Sequence, residues 1–202
     1  MKKYLIALTA VLLLSLAYIK YQPVVTYLSG KLEAKLSRGK ISGHSVYKLP
    51  VPFHRQEHSL SCEIAALKMA LAGVGVDVPE SELISHLPFD PTPRQSGVWG
   101  DPYKAFVGDI DGKMFSTGYG VYWQPIADVG LKYKRTEVLE NGTIEQLIDH
   151  LNQGHPIVVW GYYGRGNRST WTTPEGRRIE GVNGEHARTL IGYTGDSSNP
   201  ES

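Results

Sequence analysis

The chain has 202 residues, enough for one domain with a sizeable core and a tail. Apolar residues make up 41% and charged residues 20%, which excludes a disordered or fibrous polypeptide. A net charge of +1, with the basic residues scattered, gives no electrostatic ground for a nucleic-acid partner.

Met1-Lys2-Lys3 is a short basic start, and Tyr4 to Ile19 behind it is uncharged and mostly aliphatic. Residues 1–20 read as a signal peptide or an N-terminal membrane anchor. Ser15-Leu16-Ala17 offers small residues for cleavage, and Tyr18 to Tyr21 offers an aromatic–basic interfacial belt. Either way the remainder is expected outside the cytoplasm, membrane-anchored or secreted. Residues 21–48 read as a stalk, in which Leu28, Leu32 and Leu36 repeat every four residues among charges until Gly39 and Gly43. The folded domain is expected over 49–202. It opens on a proline-rich extended edge around Tyr47 to Phe53.

A polar loop then gives way to a helix at Cys62, the only cysteine in the chain. Ser59 and Ser61 are placed to cap it, Ile64, Leu67 and Leu71 follow at helical spacing, and Gly73-Val-Gly75 ends it. With no second cysteine there is no internal disulfide. Pro79, followed by Glu80 and Glu82, opens a second helix through Leu87. From Pro88 to Gly120 periodicity is lost among glycines, prolines and aromatics, as in a covering loop. Trp99, Tyr119 and Tyr122 are expected to line a substrate cleft there; the competing reading makes them caps of the core. A third helix is expected over Tyr122 to Val129. Thr143-Ile-Glu-Gln146 is a capping-box pattern that opens a fourth helix to Asn152, with Gly154 closing it. Ile157 to Tyr163 reads as a strand buried on both faces, Ser169–Thr173 with Arg177–Val182 as a hairpin, and His186 to Tyr193 as the last strand. Helices first and strands last make an α+β chain.

Cys62 on a helix start, His186 at the head of a strand and Gln56 six residues before the cysteine together suggest nucleophilic cysteine chemistry. A thiol in the first turn feels the positive end of the helix dipole, which favours thiolate. On the residues alone, Cys62 reads equally as a small buried hydrophobe, and Gln56 as a loop glutamine. Glu63 is expected to face solvent and complement the dipole. His54 and His58 are four apart in a non-helical loop with no completing ligand, so neither a metal nor another cofactor is expected.

The set Val51-Pro52, Gln56, Cys62 and His186 to Tyr193 resembles the bacteriocin-processing (double-glycine) peptidase-like branch of papain-like cysteine peptidases, in its secreted bacterial subgroup. Trp99-Gly-Asp-Pro, Phe106-Val-Gly-Asp, Thr117 to Tyr122 and Gly154 to Trp160 are similar to the same subgroup, so the likeness runs from about Leu49 to Tyr193. The resemblance implies a papain-like fold with the nucleophile helix in an N-terminal helical half and an antiparallel sheet after it. It implies Cys62 as nucleophile, His186 as base, and an oxyanion hole formed by the Gln56 amide with the Cys62 backbone N–H. Substrates would be peptides or proteins, handled by a monomer through an acyl-enzyme. Many relatives carry glycine after the cysteine, where this chain has Glu63. They also carry an Asp or Asn on the strand after the histidine strand. Asp196 is the nearest candidate to orient the imidazole here, though it and Asn199 sit in a turn-like composition. Either the third member is lost through C-terminal truncation, or something else orients the ring. Two other readings stand beside the peptidase: an inactive peptidase-fold binding module, and a cell-wall peptide amidase.

Overall fold

Helix α1 (Cys62–Gly73) is the element around which the computed structural model is built; the structure describes residues 39–41, 44–196 and 199–201. Cys62 to Leu67 and Leu71 are all buried, so the first half of α1 is enclosed on every side rather than along one stripe. Ile64, Leu67 and Leu71 pack with Leu83 and Leu87 from the second helical segment and with Phe106, Val121, Ile126 and Val129. The expected cap is absent in detail. Ser61 precedes the helix, but its hydroxyl accepts the His58 N–H at 3.1 Å and so ties down the loop instead.

The remaining helices follow the sequence closely. Helix α2 (Glu80–Ser85) starts after Pro79, and α3 (Trp123–Leu131) holds Pro125 in its first turn, where no N–H is needed. Helix α4 (Ile144–Asn152) carries the expected capping box. The Thr143 N–H donates to Gln146 Oε1 at 2.9 Å, and the Gln146 N–H donates to Thr143 Oγ1 at 3.3 Å.

The strands form β1 (Gly39–Ile41), β2 (His44–Lys48), β3 (Phe89–Asp90), β4 (Phe106–Val107), β5 (Ile157–Tyr162), β6 (Arg168–Thr172), β7 (Arg178–Val182), β8 (Glu185–Leu190), β9 (Gly192–Asp196) and β10 (Asn199–Glu201). Strands β5 and β8 pair antiparallel, with Gly161 opposite His186, and β6 pairs with β7 as the expected hairpin. A separate sheet has the order β1-β2-β9-β10. All four described helices precede the antiparallel pairs β5–β8 and β6–β7 along the chain, which gives the expected α+β class.

Four expectations need correcting. The single strand from His186 to Tyr193 breaks at Ile191: β8 pairs with β5, whereas β9 pairs with β2. Gly192 permits this crossing, since a Cβ there would lie 2.1 Å from the Tyr47 carbonyl oxygen. Strand β5 is half-buried with Tyr162 exposed, not enclosed on both faces. A domain boundary at 48/49 would discard β1 and β2, yet Val46 and Tyr47 are in register with Thr194 and Tyr193. The expected anchor (1–20) and the leucine-spaced part of the stalk lie outside the described residues.

The fourth correction concerns the cleft. Trp99 and Tyr119 are each 1% exposed and Tyr122 is buried with them, in a second core cluster with Val107, Trp171 and Ile179. The Trp99 and Trp171 rings are tilted at 5.4 Å, and Trp171 Nε1 donates to the Gly100 carbonyl at 2.8 Å. These rings fill the interior and line no cleft. Trp99→Ala should therefore lower the unfolding free energy by about 3–5 kcal/mol, read from urea denaturation. A midpoint matching the parent protein would contradict this packing.

Candidate active site

Cys62 begins α1 and lies against β8. Small residues make the approach: Cys62 and Ala66 of the helix pack on Ala187 of the strand. The Ala187 N–H donates to Cys62 Sγ at 3.5 Å, and Thr189 Oγ1 donates to the Ala66 carbonyl at 2.9 Å. Because side chains alternate along a strand, Ala187 and Thr189 share the face toward α1. His186 and Arg188 belong to the opposite face. His186 meets the edge of Tyr163 at 6.3 Å, and no hydrogen bond joins it to Cys62 among the described residues.

The thiol finds a carboxylate instead. Cys62 Sγ donates to Glu63 Oε2 at 3.3 Å, and Glu63 Oε1 accepts the Val121 N–H at 2.9 Å. Glu63 is 1% exposed, so the expectation that it faces solvent is wrong. Gly120 makes its burial possible; its φ is +145°, and a Cβ there would lie 2.5 Å from Glu63 Oε1. Glu185, 8% exposed, approaches from β8, and its Oε1 has no hydrogen-bond partner among the described residues. Burial pushes the Cys62 thiol far above its ordinary value, and the charges of Glu63 and Glu185 push it further. Burial likewise raises both carboxyls, Glu185 additionally through the charge of Glu63. Burial, then the nearby Arg188, lowers the His186 imidazole. In this arrangement Cys62 is a thiol and not a thiolate.

Gln56 sits on the loop before α1, but its Nε2 donates to the carbonyls of His58 at 2.8 Å and Ser59 at 3.0 Å. That loop is clasped by fully buried Glu80, which accepts from His54 Nε2 at 2.5 Å and from the Glu57 N–H at 3.2 Å. Ligand atoms of His54, Glu57 and Glu80 lie within 4.8 Å of one another, so two carboxylates do join His54 in space. Both Glu80 oxygens already accept hydrogen bonds, and the trio acts as a clasp.

Asp196, the residue expected to orient the imidazole, ends β9, which pairs with β2 and β10. Sequence reasoning missed Glu63, Glu185 and Glu80 as site residues. The two-carboxylate cluster at Cys62 is built by contacts more than fifty residues apart, such as Glu63 with Val121, and leaves no local pattern.

Residues 48–200 match the model of the Peptidase_C39 like family. The chain is 33% identical over 137 residues to the "Uncharacterized protein YvpB" of Bacillus subtilis (strain 168), covering 65% of this chain and 53% of that protein. It thus spans about half the length of the curated relative it matches. It also superposes on the crystal structure of a "putative C39-like peptidase" from Bacillus anthracis, with a TM-score of 0.63 and 27% identity. That likeness covers 78% of this chain and 84% of the other.

The raised carboxyls have a measurable consequence. In the unfolded chain they titrate near pH ~4.3, so between that value and their raised folded values the native state binds more protons. Stability they contribute is complete below the unfolded value and is lost as pH rises through the folded values. The unfolding free energy should fall from pH 5 toward pH 9, and Glu185→Gln should flatten that fall. A variant whose profile parallels the parent's would contradict the burial of Glu185.

Proposed function

Because the chain belongs to the Peptidase_C39 like family, we propose that it is a cysteine peptidase-like hydrolase that cleaves peptide or amide bonds with Cys62 as nucleophile. The observation that carries this reading is the seating of the sole cysteine, at the start of a buried helix, against the strand that bears His186. In the reaction, Cys62 sulfur attacks the carbonyl carbon, and the thiol proton passes to His186. His186 then protonates the leaving amine, and water releases the acyl group from sulfur. Gln56 and the Cys62 backbone N–H would hold the oxyanion. Each such donor contributes on the order of 3 kcal/mol to the transition state.

The described arrangement is a resting one on this reading. His186 must turn from the outer face of β8 toward Cys62, and Gln56 must release the His58 and Ser59 carbonyls. The short N-terminal basic segment and the uncharged run to Ile19 support an extracytoplasmic site of action, anchored or secreted. Peptides or proteins met there are the substrate class.

A second reading has its own observation. The protonated thiol and the occupied Gln56 amide also suit a peptidase fold kept for binding alone. Incubation with a peptide library and intact-mass analysis separates the two. The hydrolase should show cleaved products and an acyl adduct on Cys62, with Cys62→Ala and His186→Ala each losing turnover by several orders of magnitude. Cleavage that survives Cys62→Ala would refute the nucleophile, and peptide capture without cleavage would support the binder.

A further inference from the structure

Two glutamates flank the residues assigned to chemistry, Glu63 after Cys62 and Glu185 before His186, and the fold brings both behind the thiol. We infer that Glu63 is a positioning residue that locks Cys62 as a thiol until Glu63 itself takes up a proton, with Glu185 reinforcing the lock when it too is charged. The inference rests on Cys62 being the reactive group of the proposed hydrolase.

The geometry gives Glu63 no freedom to leave. One carboxylate oxygen accepts the thiol proton's hydrogen bond at 3.3 Å while the other is fixed by the Val121 N–H at 2.9 Å. Val121 is held in turn, because Trp160 Nε1 donates to its carbonyl at 3.0 Å. The charged and titratable groups around the thiol can be taken element by element. From α1 come Cys62 and Glu63, and from β8 comes Glu185. The 119–122 segment contributes Tyr119 and Tyr122, whose hydroxyls bond each other at 2.9 Å. Behind them, Tyr103 and, from β7, Glu180 act on Tyr122. His186 and Arg188 belong to the opposite face of β8, and from β5 Tyr162 stands in register with Glu185. Among the described residues, no Lys or Arg is a leading influence on the thiol or on the two carboxyls. Every negative charge placed there therefore opposes a thiolate.

Release follows from the same geometry. When Glu63 takes a proton from solvent, the S–H loses its acceptor and its nearest negative charge. The sulfur then ionises more readily, and a proton goes to solvent or to His186. Burial favours that protonated carboxyl, so the lock opens on the acid side and tightens as the medium becomes alkaline.

Alkylation by uncharged iodoacetamide reads this directly on the intact protein. A C–S bond forms, iodide leaves and the thiol proton goes to solvent. Glu63→Gln keeps an oxygen for the Val121 N–H but cannot carry charge. It should alkylate faster than the parent, by about tenfold for each unit the thiol pKa falls. Its advantage should grow from pH 5 to pH 9. Glu185→Gln leaves the Glu63 contacts in place and should show a smaller advantage confined to the alkaline end. A purely structural role for Glu63 would change the rate equally at every pH. A constant or absent advantage in Glu63→Gln overturns the inference. Should that variant fail to fold, a Glu185→Gln rate no higher than the parent's at pH 9 overturns it as well. Peptide cleavage is scored separately: a pH-dependent advantage without cleavage retains the lock and rejects the hydrolase, and cleavage without the advantage does the reverse.

Discussion

Helix α1 and strand β8 approach closely because the residues between them are small. Ala66 and Ala187 leave room for the Ala187 N–H to reach Cys62 Sγ and for the Thr189 hydroxyl to reach the Ala66 carbonyl. A close-packed contact of this kind has no slack, since adding methylenes to such a seam forces backbone to move. The helical cluster gathers on one side of α1 and the β5–β8 ladder on another, so this seam sets where the thiol stands. It also sets what surrounds the thiol. The charge of Glu185 acts on the thiol, and Glu185 shares its strand face with Ala187, which lies against the helix.

Burying carboxyl groups beside that seam is costly, and the fold offsets the cost with local devices. Glu63 gains the Val121 N–H, and Gly120 removes the Cβ that would otherwise occupy its place. The aromatic cluster supplies much of the compensating apolar burial. Trp99, Tyr119 and Trp171 meet at tilted or edge-on angles with centroids 5.1–6.3 Å apart, the arrangement their ring quadrupoles favour. Tyr119 and Tyr122 satisfy each other's hydroxyls, so their polar tips can be enclosed as well.

What could be read from the sequence was what local chemistry determines. Thr143 and Gln146 announce α4 because a capping box is closed within four residues. The turn between Thr172 and Arg178 likewise announces its own hairpin. The position of Cys62 at a helix start was equally plain, since apolar spacing begins immediately after it. Burial of Glu63 was not, because a first-turn carboxylate suits solvent and dipole alike, and its actual partner is fifty-eight residues away. Trp99 and Tyr119 show the same limit: a ring-rich, glycine-rich segment has one composition whether it lines a cleft or fills a core. The pairing of β9 with β2 was hidden for a related reason. Gly192 reads as one more residue of the last strand until the Tyr47 backbone is seen to cross it.

The seclusion of the lone thiol bears on how the protein survives oxidants. It is the thiolate that attacks the oxygen of a peroxide or the sulfur of a disulfide, and attack on peroxide starts the climb from sulfenic to irreversibly oxidised acids. Cys62 is buried and its ionisation is opposed, so the folded state presents little thiolate to such oxidants. With no second cysteine to rescue it through an internal disulfide, an early oxidation here would have no intramolecular remedy. The carboxylates that oppose ionisation of the sulfur therefore also act as its preservative, giving the thiol a long chemical lifetime.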